Sequence, residues 1–215
     1  MRNTTNHKIK RIFEISKKLP FFNFNTLSPI EDNRRYLKVM MGRAAKSDKT
    51  IRLKKGVYVT KSYLDDLRIN QKFSFYLEFL ANNLYQPSYL SVEYVLYENN
   101  ILSDVPVNYT SVTTNKTMHF TNTLGDFFYH KIKNELFVGF FIKKENNYLI
   151  AKATKTKALF DFLYLRKNIL INKKSVQELR LNLGVIAEKD KKEFNRYIKI
   201  EKSYKMSQIS HWLFE

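Results

Sequence analysis

Apolar residues return at helical spacing from the start of the chain. Ile9, Ile12, Phe13 and Ile15, continued by Ser16, sit between Lys8, Lys10, Arg11, Lys17 and Lys18, which predicts a first helix ended by Pro20. The stretch Asn25-Thr26-Leu27-Ser28-Pro29-Ile30 predicts a short second helix or turn, with Ser28 as its N-cap and Pro29 at the first helical position. Asp32 or Asn33 then caps a third helix whose apolar stripe is Tyr36, Leu37, Met40, Met41 and Ala44. That phase leaves Arg34, Arg35, Lys38 and Arg43 mostly outward. Immediately afterwards the period changes from helical to alternating. Ile51 and Leu53, then Val57 and Val59, flank Lys54-Lys55-Gly56 and predict two short strands, with Gly56 free to take the positive φ of a tight turn.

Beyond Lys61 the pattern is richer in aromatic residues. Phe73, Tyr76, Leu77, Phe79, Leu80 and Leu84 mark a buried helix over residues 71 to 85, closed by Pro87. Ser91 is placed to cap a helix from Val92 to Asn99, and Tyr89 to pack between the two helices. Strand signals follow at Val107–Thr114, Thr117–Thr121, Phe127–Ile132, Leu136–Lys143 and Tyr148–Ala153, with turns at Asn115-Lys116, Asn134-Glu135 and Asn146-Asn147. Thr154 to Lys167 returns to helix with Ala158, Leu159, Phe162, Leu163 and Leu165 inward, and the tail from Ser175 is helical with Leu179, Leu183, Phe194 and Ile198 inward. The expected fold is α+β, with a small helical and winged module over residues 1–62 and a larger domain over residues 63–215 built on a mostly antiparallel sheet packed by helices.

Charge sharpens this division. Residues 1 to 60 hold 15 Lys and Arg against 4 Asp and Glu, so more than half of the net +18 lies in little more than a quarter of the chain. Such an excess is what neutralising phosphates requires. The 44 % hydrophobic content supports a packed core, 17 Phe and 14 Tyr against 5 Gly and 4 Pro favour regular elements, and the absence of cysteine excludes disulfides and thiolate zinc sites. Met1 to Lys18 lacks the apolar run of a signal peptide, and no uncharged apolar run approaches the roughly 20 residues of a membrane span. The expectation is a soluble, cytoplasmic protein with no membrane partner.

Helix, turn, helix and basic hairpin in that order describe a winged helix-turn-helix, in which the third helix enters the major groove and the wing meets the backbone or minor groove. The expected DNA-binding residues are Asn33, Arg34, Arg35, Lys38 and Arg43 on the helix, with Asn33 reading a base edge, and Arg52, Lys54 and Lys55 on the wing. Signals for catalysis are weaker. Ser88 and Ser91 have no base nominated nearby, because His7, His119, His130 and His211 are scattered. Asp161 pairs most simply with Lys157, four residues earlier, on an outer helix face. Glu145 and Lys152 are too far apart for a nuclease acid-lysine motif, and Glu188-Lys189-Asp190-Lys191 falls in a helix. No phosphate loop, metal-ligand spacing or cofactor motif is present, so no enzyme activity, cofactor or metal is expected. The rival reading is a nuclease-like enzyme that processes nucleic acid and uses the basic arm to capture its substrate.

Taken together, the order of motifs resembles the AbiEi family, antitoxins of abortive-infection toxin-antitoxin systems that are also described as transcriptional regulators. The likeness rests on Gly56-Val57-Tyr58, on Pro87-Ser88-Tyr89-Leu90-Ser91 with Val95-Leu96 after it, on Val112-Thr113, and on Ala151 followed by Lys157-Ala158-Leu159-Phe160-Asp161-Phe162-Leu163-Tyr164. It covers about residues 10 to 170. The segment Ala45 to Thr50 lacks the usual Gly, and the part after residue 170 is short. The resemblance implies a winged helix that represses its own operon on double-stranded operator repeats, and a second domain that counteracts a nucleotidyltransferase-like toxin without a stable complex.

Overall fold

The computed structural model describes residues 2–215, with side chains from His7 onward. Met1, where the stretch tested for a signal peptide begins, lies outside the described residues. The protein is α+β and divides into two compact units, residues 1–77 with 120–124, and residues 78–119 with 125–215. The first division falls inside a helix, between Leu77 and Glu78, beyond the boundary expected at residue 62.

The first unit begins with helix α1 (Arg2–Ser16), strand β1 (Phe22–Asn23), helix α2 (Phe24–Leu27) and helix α3 (Arg34–Lys46). Strands β2 (Thr50–Lys54) and β3 (Val57–Thr60) follow, then helix α4 (Lys61–Ile69), which the sequence pattern did not predict. The three strands form an antiparallel sheet in the order β1-β3-β2, with Phe22 opposite Tyr58 and Ile51 opposite Val59. Its tight turn is Lys55-Gly56, and Gly56 has φ +79°, the left-handed conformation that glycine adopts without a Cβ penalty. Ile12, Phe22, Leu27, Leu37, Met41 and Tyr58 bury together as the core, which joins α1 and α3 to the sheet. The second helix starts earlier than expected. Asn23 caps it, accepting from the Thr26 N–H while the Thr26 hydroxyl accepts from the Asn23 N–H, so Ser28 stands at its C-terminal end, where its hydroxyl donates to Asn25 O.

Helix α5 (Phe73–Asn83) leads into the second unit, which contains β4 (Ser88–Leu90), α6 (Val92–Glu98), β5 (Tyr109–Thr113), the first two residues of β6 (Met118–Asn122), whose other three belong to the first unit, β7 (Gly125–Lys131), β8 (Phe140–Glu145) and β9 (Tyr148–Ala153). Helices α7 (Lys155–Arg166), α8 (Lys173–Gln177), α9 (Glu188–Glu201) and α10 (Tyr204–Phe214) complete the chain. The sheet runs β6-β7-β5-β4-β9-β8. Pairs β4/β5 and β8/β9 are antiparallel as expected, whereas β4/β9 and β5/β7 are parallel. Tight turns set direction only between consecutive strands, and these parallel neighbours are not consecutive. Asn146 and Asn147, at φ 47° and 71°, form the expected turn between β8 and β9. The expected strand at Leu136 begins only at Phe140, because Asn134–Leu136 closes a 3₁₀ turn. In the tail, Phe194 is buried as expected, whereas Leu179, Leu183 and Ile198 are half-buried and Val176, Ile186 and Tyr197 complete the inner face.

Gly139, between the 3₁₀ turn and β8, has φ +77°, and a Cβ there would overlap the Tyr197 hydroxyl. Gly139→Ala is expected to lower the thermal midpoint of the second unit, since the left-handed backbone alone costs about 1–2 kcal/mol. A midpoint equal to that of the parent protein would show that neither the left-handed backbone at residue 139 nor the approach of Tyr197 carries the expected cost. No helix among the described residues is long and apolar enough to cross a membrane.

Candidate nucleic-acid interface

Helix α3 owes its two faces to the placement of its apolar residues. Leu37, Met40, Met41 and Ala44 are buried, and at about 100° per residue they occupy one side of the helix. Arg35, Lys38, Arg43 and Lys46 fall on the opposite arc, Arg34 lies at the border of the buried side in the first turn, and all five are exposed. The helix carries no acidic residue, and among the described residues none of these five cations is held in an ion pair. Lys46 was not expected to touch DNA, although its spacing of eight residues from Lys38 puts it on the same arc.

The start of α3 is held firmly. Asn33 is its N-cap, and its Oδ1 accepts from the Tyr36 N–H at 3.0 Å, so the side chain expected to read a base has its acceptor already committed. Its amide NH₂ takes no part in that capping bond. Arg34 donates from Nη2 to Asn25 Oδ1 at 2.6 Å, which ties the first turn of α3 to α2 and fixes the direction of that guanidinium. Arg35 and Arg43 flank a groove of about 600 Å³ on the α1 side, walled by Ile9, Phe13, Tyr36 and Val39. The exposed cations of α3 therefore spread over its whole outer half and do not form a single row.

On the β2–β3 hairpin, Arg52 and Lys55 are exposed. Lys54 differs from expectation. It is half-buried, its ammonium lies 5.6 Å from the centre of the Phe120 ring, and burial lowers its pKa from the ordinary lysine value. A bulge between Arg52 and Lys54 shifts the register and turns Lys54 inward, a displacement that strict alternation does not foresee. Of the eight residues expected to bind DNA, the structure places seven at exposed positions and one, Lys54, against an aromatic ring.

A second chemistry-bearing cluster lies inside the second unit. Asp161 and Lys157 are both fully buried and form an ion pair along α7. The Asp161 Oδ2 also accepts from Ser91 Oγ at 2.8 Å and Tyr89 Oη at 3.0 Å. Three expectations are corrected here. The Lys157–Asp161 pair is not on an outer face; Ser91 occupies the N-cap position of α6 but makes no side-chain cap bond; and Tyr89 sits in the central strand β4. The physical reason is common to all three: Asp161 gathers their polar groups, and α7 packs against α6 with that face buried. Burial holds the Asp161 carboxyl above its usual range, against the pull of Lys157, Ser91 and Tyr89, and the same burial, with Asp161 beside it, raises the Tyr89 phenol. The ammonium of Lys157 also lies 5.0 Å from the Phe160 ring centre and 5.3 Å from that of Tyr197.

This cluster joins the two segments that carry most of the sequence resemblance, Pro87–Ser91 and Lys157–Tyr164. Its carboxylate is enclosed and saturated with donors, so it presents nothing to a substrate. Among the described residues no group of three or more His, Asp or Glu side chains is arranged to hold a metal ion. No known protein-family model matches the sequence, and no curated protein is similar enough to count as a relative.

Proposed function

We propose that this chain is a DNA-binding transcriptional repressor whose first unit is a winged helix-turn-helix, with α3 as the major-groove helix and the β2–β3 hairpin as the wing. The observation that carries the reading is the acid-free outer face of α3, where Arg35, Lys38, Arg43 and Lys46, with Arg34 at its border, stand exposed on a helix fixed from behind by Leu37, Met40 and Met41. The order of elements, with a helix and strand before α2 and α3 and a basic two-stranded hairpin after them, supports the same assignment. Phosphate contacts position such a module and base contacts specify the site. Arg35 and Lys38 are the base-reading candidates, because Arg34 is already tied to Asn25 and Asn33 to its own helix.

The biological role we propose is that of an antitoxin of an abortive-infection system, autoregulating an operon that also encodes a nucleotidyltransferase-like toxin. The motif order supports this part of the proposal. Coexpression with the neighbouring gene product tests it: growth arrest by that product alone, relieved by this chain, is the expected outcome. Arrest that this chain does not relieve would remove the antitoxin role and leave repression standing.

The wing makes a separable prediction. Arg52→Ala and Lys55→Ala are each expected to weaken binding to every duplex sequence and to reduce the slope of log affinity against log salt by about 0.9 for each phosphate left without its cation. Lys54→Ala is expected to have a smaller effect on that slope, because its ammonium is half-buried over Phe120. Fluorescence anisotropy across a salt series measures all three. Unchanged slopes for Arg52→Ala and Lys55→Ala would discard the wing.

A further inference from the structure

By sequence α9 is a mixed helix, with five cations and four acids interleaved along it. The fold sorts them. Asp190 is 5 % exposed and pairs with Lys155 of α7 at 2.7 Å. Glu193 accepts from the Thr154 hydroxyl at 2.7 Å and from the Tyr197 hydroxyl at 2.6 Å. Glu201, 4 % exposed, pairs with Lys167 at 2.8 Å and accepts from the Ser203 N–H at 2.8 Å. The fourth acid, Glu188, is engaged by Lys191 at 2.6 Å. Each carboxylate of the helix thus has a partner of its own, and three of the four partners lie off the helix or on its inner side.

The other four cations are left outside. Lys189, Lys192, Arg196 and Lys199 are exposed, and among the described residues none of them makes an ion pair or a side-chain hydrogen bond. Their spacing of three, four and three residues confines them, at about 100° per residue, to an arc of about 80°. Asp190, Phe194, Tyr197 and Glu201 are buried on the other side. The cations therefore form a single row about 15 Å long, in steps of about 4.5–6 Å along the axis. The row continues past the helix. Lys202, exposed, closes α9 at φ +65°, and Tyr204, two residues further on, is 78 % exposed, the most exposed aromatic ring among the described residues. Its backbone is held at the start of α10, where Ser203 Oγ accepts from the Met206 N–H at 3.3 Å. Among the described residues the Tyr204 ring stacks on no other aromatic side chain.

We propose that this row, with Lys202 and Tyr204, binds single-stranded nucleic acid: the cations follow successive phosphates and the Tyr204 ring stacks on a base. A linear series of unpaired cations favours a polyanion over a folded protein partner, because protein interfaces deplete charge at their centre and place apolar side chains there. Ile200, at the margin of the row, is the one apolar side chain exposed along α9. The free ring favours an unpaired strand over a duplex, whose stacked bases offer no face to a side chain. A cationic track with an aromatic platform is how proteins hold single strands without sequence preference. The site lies on the second unit and does not rest on the reading of α3 as a DNA-recognition helix.

The test is fluorescence anisotropy of the full chain with labelled oligothymidylate, oligouridylate and a duplex of matched length, across a salt series. Lys192→Glu with Arg196→Glu is expected to weaken binding of both single strands at least tenfold, and to flatten the slope of log affinity against log salt by about 0.7 for each phosphate left without its cation. Tyr204→Ala is expected to weaken it roughly fivefold or more at unchanged slope, and to leave duplex binding as it was. The tighter of the two strands identifies DNA or RNA as the source. All three positions are exposed, which spares the fold. Arg35→Glu with Lys38→Glu is expected to leave the row-dependent single-strand binding in place, so a chain that fails to bind duplex still tests this site. Lys173→Glu with Lys174→Glu is the control of equal charge, and an equal loss there would reduce the row to general electrostatics and overturn the proposal. So would single-strand affinity indifferent to Tyr204→Ala, or displacement of the oligonucleotide by polyglutamate or by phosphatidylserine vesicles at equal charge concentration.

Discussion

Asp161→Ala is expected to destabilise the second unit by about 3–5 kcal/mol, because it leaves the Lys157 ammonium buried without its counter-charge. The rings of Phe160 and Tyr197 lie near that ammonium, but cation–π attraction of about 2 kcal/mol when desolvated cannot replace a carboxylate. Tyr89 and Ser91 lose their shared acceptor at the same time, and each unsatisfied buried hydroxyl adds to the cost. Against a typical domain stability of about 5–15 kcal/mol, a loss of this size threatens folding at physiological temperature. Urea unfolding measures it. The companion double variant Lys157→Met with Asp161→Leu is expected to regain most of the loss, since an apolar pair of similar volume escapes the desolvation penalty. A single variant within about 0.5 kcal/mol of the parent, well below what uncovering a buried charge requires, would mean that the pair is not enclosed in solution.

The second large effect is expected on α3. Reversing Arg35 and Lys38 together to glutamate should lower affinity for duplex DNA by roughly 10²- to 10⁴-fold, given about 1–3 kcal/mol for each good base contact and added repulsion of phosphates. Both side chains are exposed, and the helix is held by Leu37, Met40 and Met41, so its fold should survive. Lys173→Glu with Lys174→Glu, an equal change of charge at exposed positions on the second unit, separates a local effect from a general electrostatic one. Anisotropy at fixed salt reads the comparison. If the two double variants weaken binding equally, α3 has no privileged role and the repressor assignment fails. If the α3 variant alone loses affinity, graded substitution of Arg34, Arg43 and Lys46 would map how far the DNA-binding face extends along the helix.

The parts of this protein that local pattern determined are those in which one element's own spacing settles the outcome. The apolar stripe of α3, its Asn33 cap, the Lys55-Gly56 turn, the Asn146-Asn147 turn and the Thr154 start of α7 each follow from residues within a few positions of one another. The cationic face of α3 was legible for the same reason: burying Leu37 and Met41 forces Arg35 and Lys38 outward. Helix α4 escaped because its signal was overshadowed by the wing before it, although Thr60 caps it and Leu64 and Leu67 are buried along it. Long-range partners decided the rest. At three residues, β4 is too short to show alternation, and it became a central strand only because β5 and β9 flank it. Asp161, read as a surface residue from its distance to Lys157 along the helix, is buried because Ser91 and Tyr89, some seventy residues earlier, bring their hydroxyls to it. Periodicity reports which face of an element is hidden; what hides it, and which polar groups are taken inside with it, is fixed only when distant segments meet.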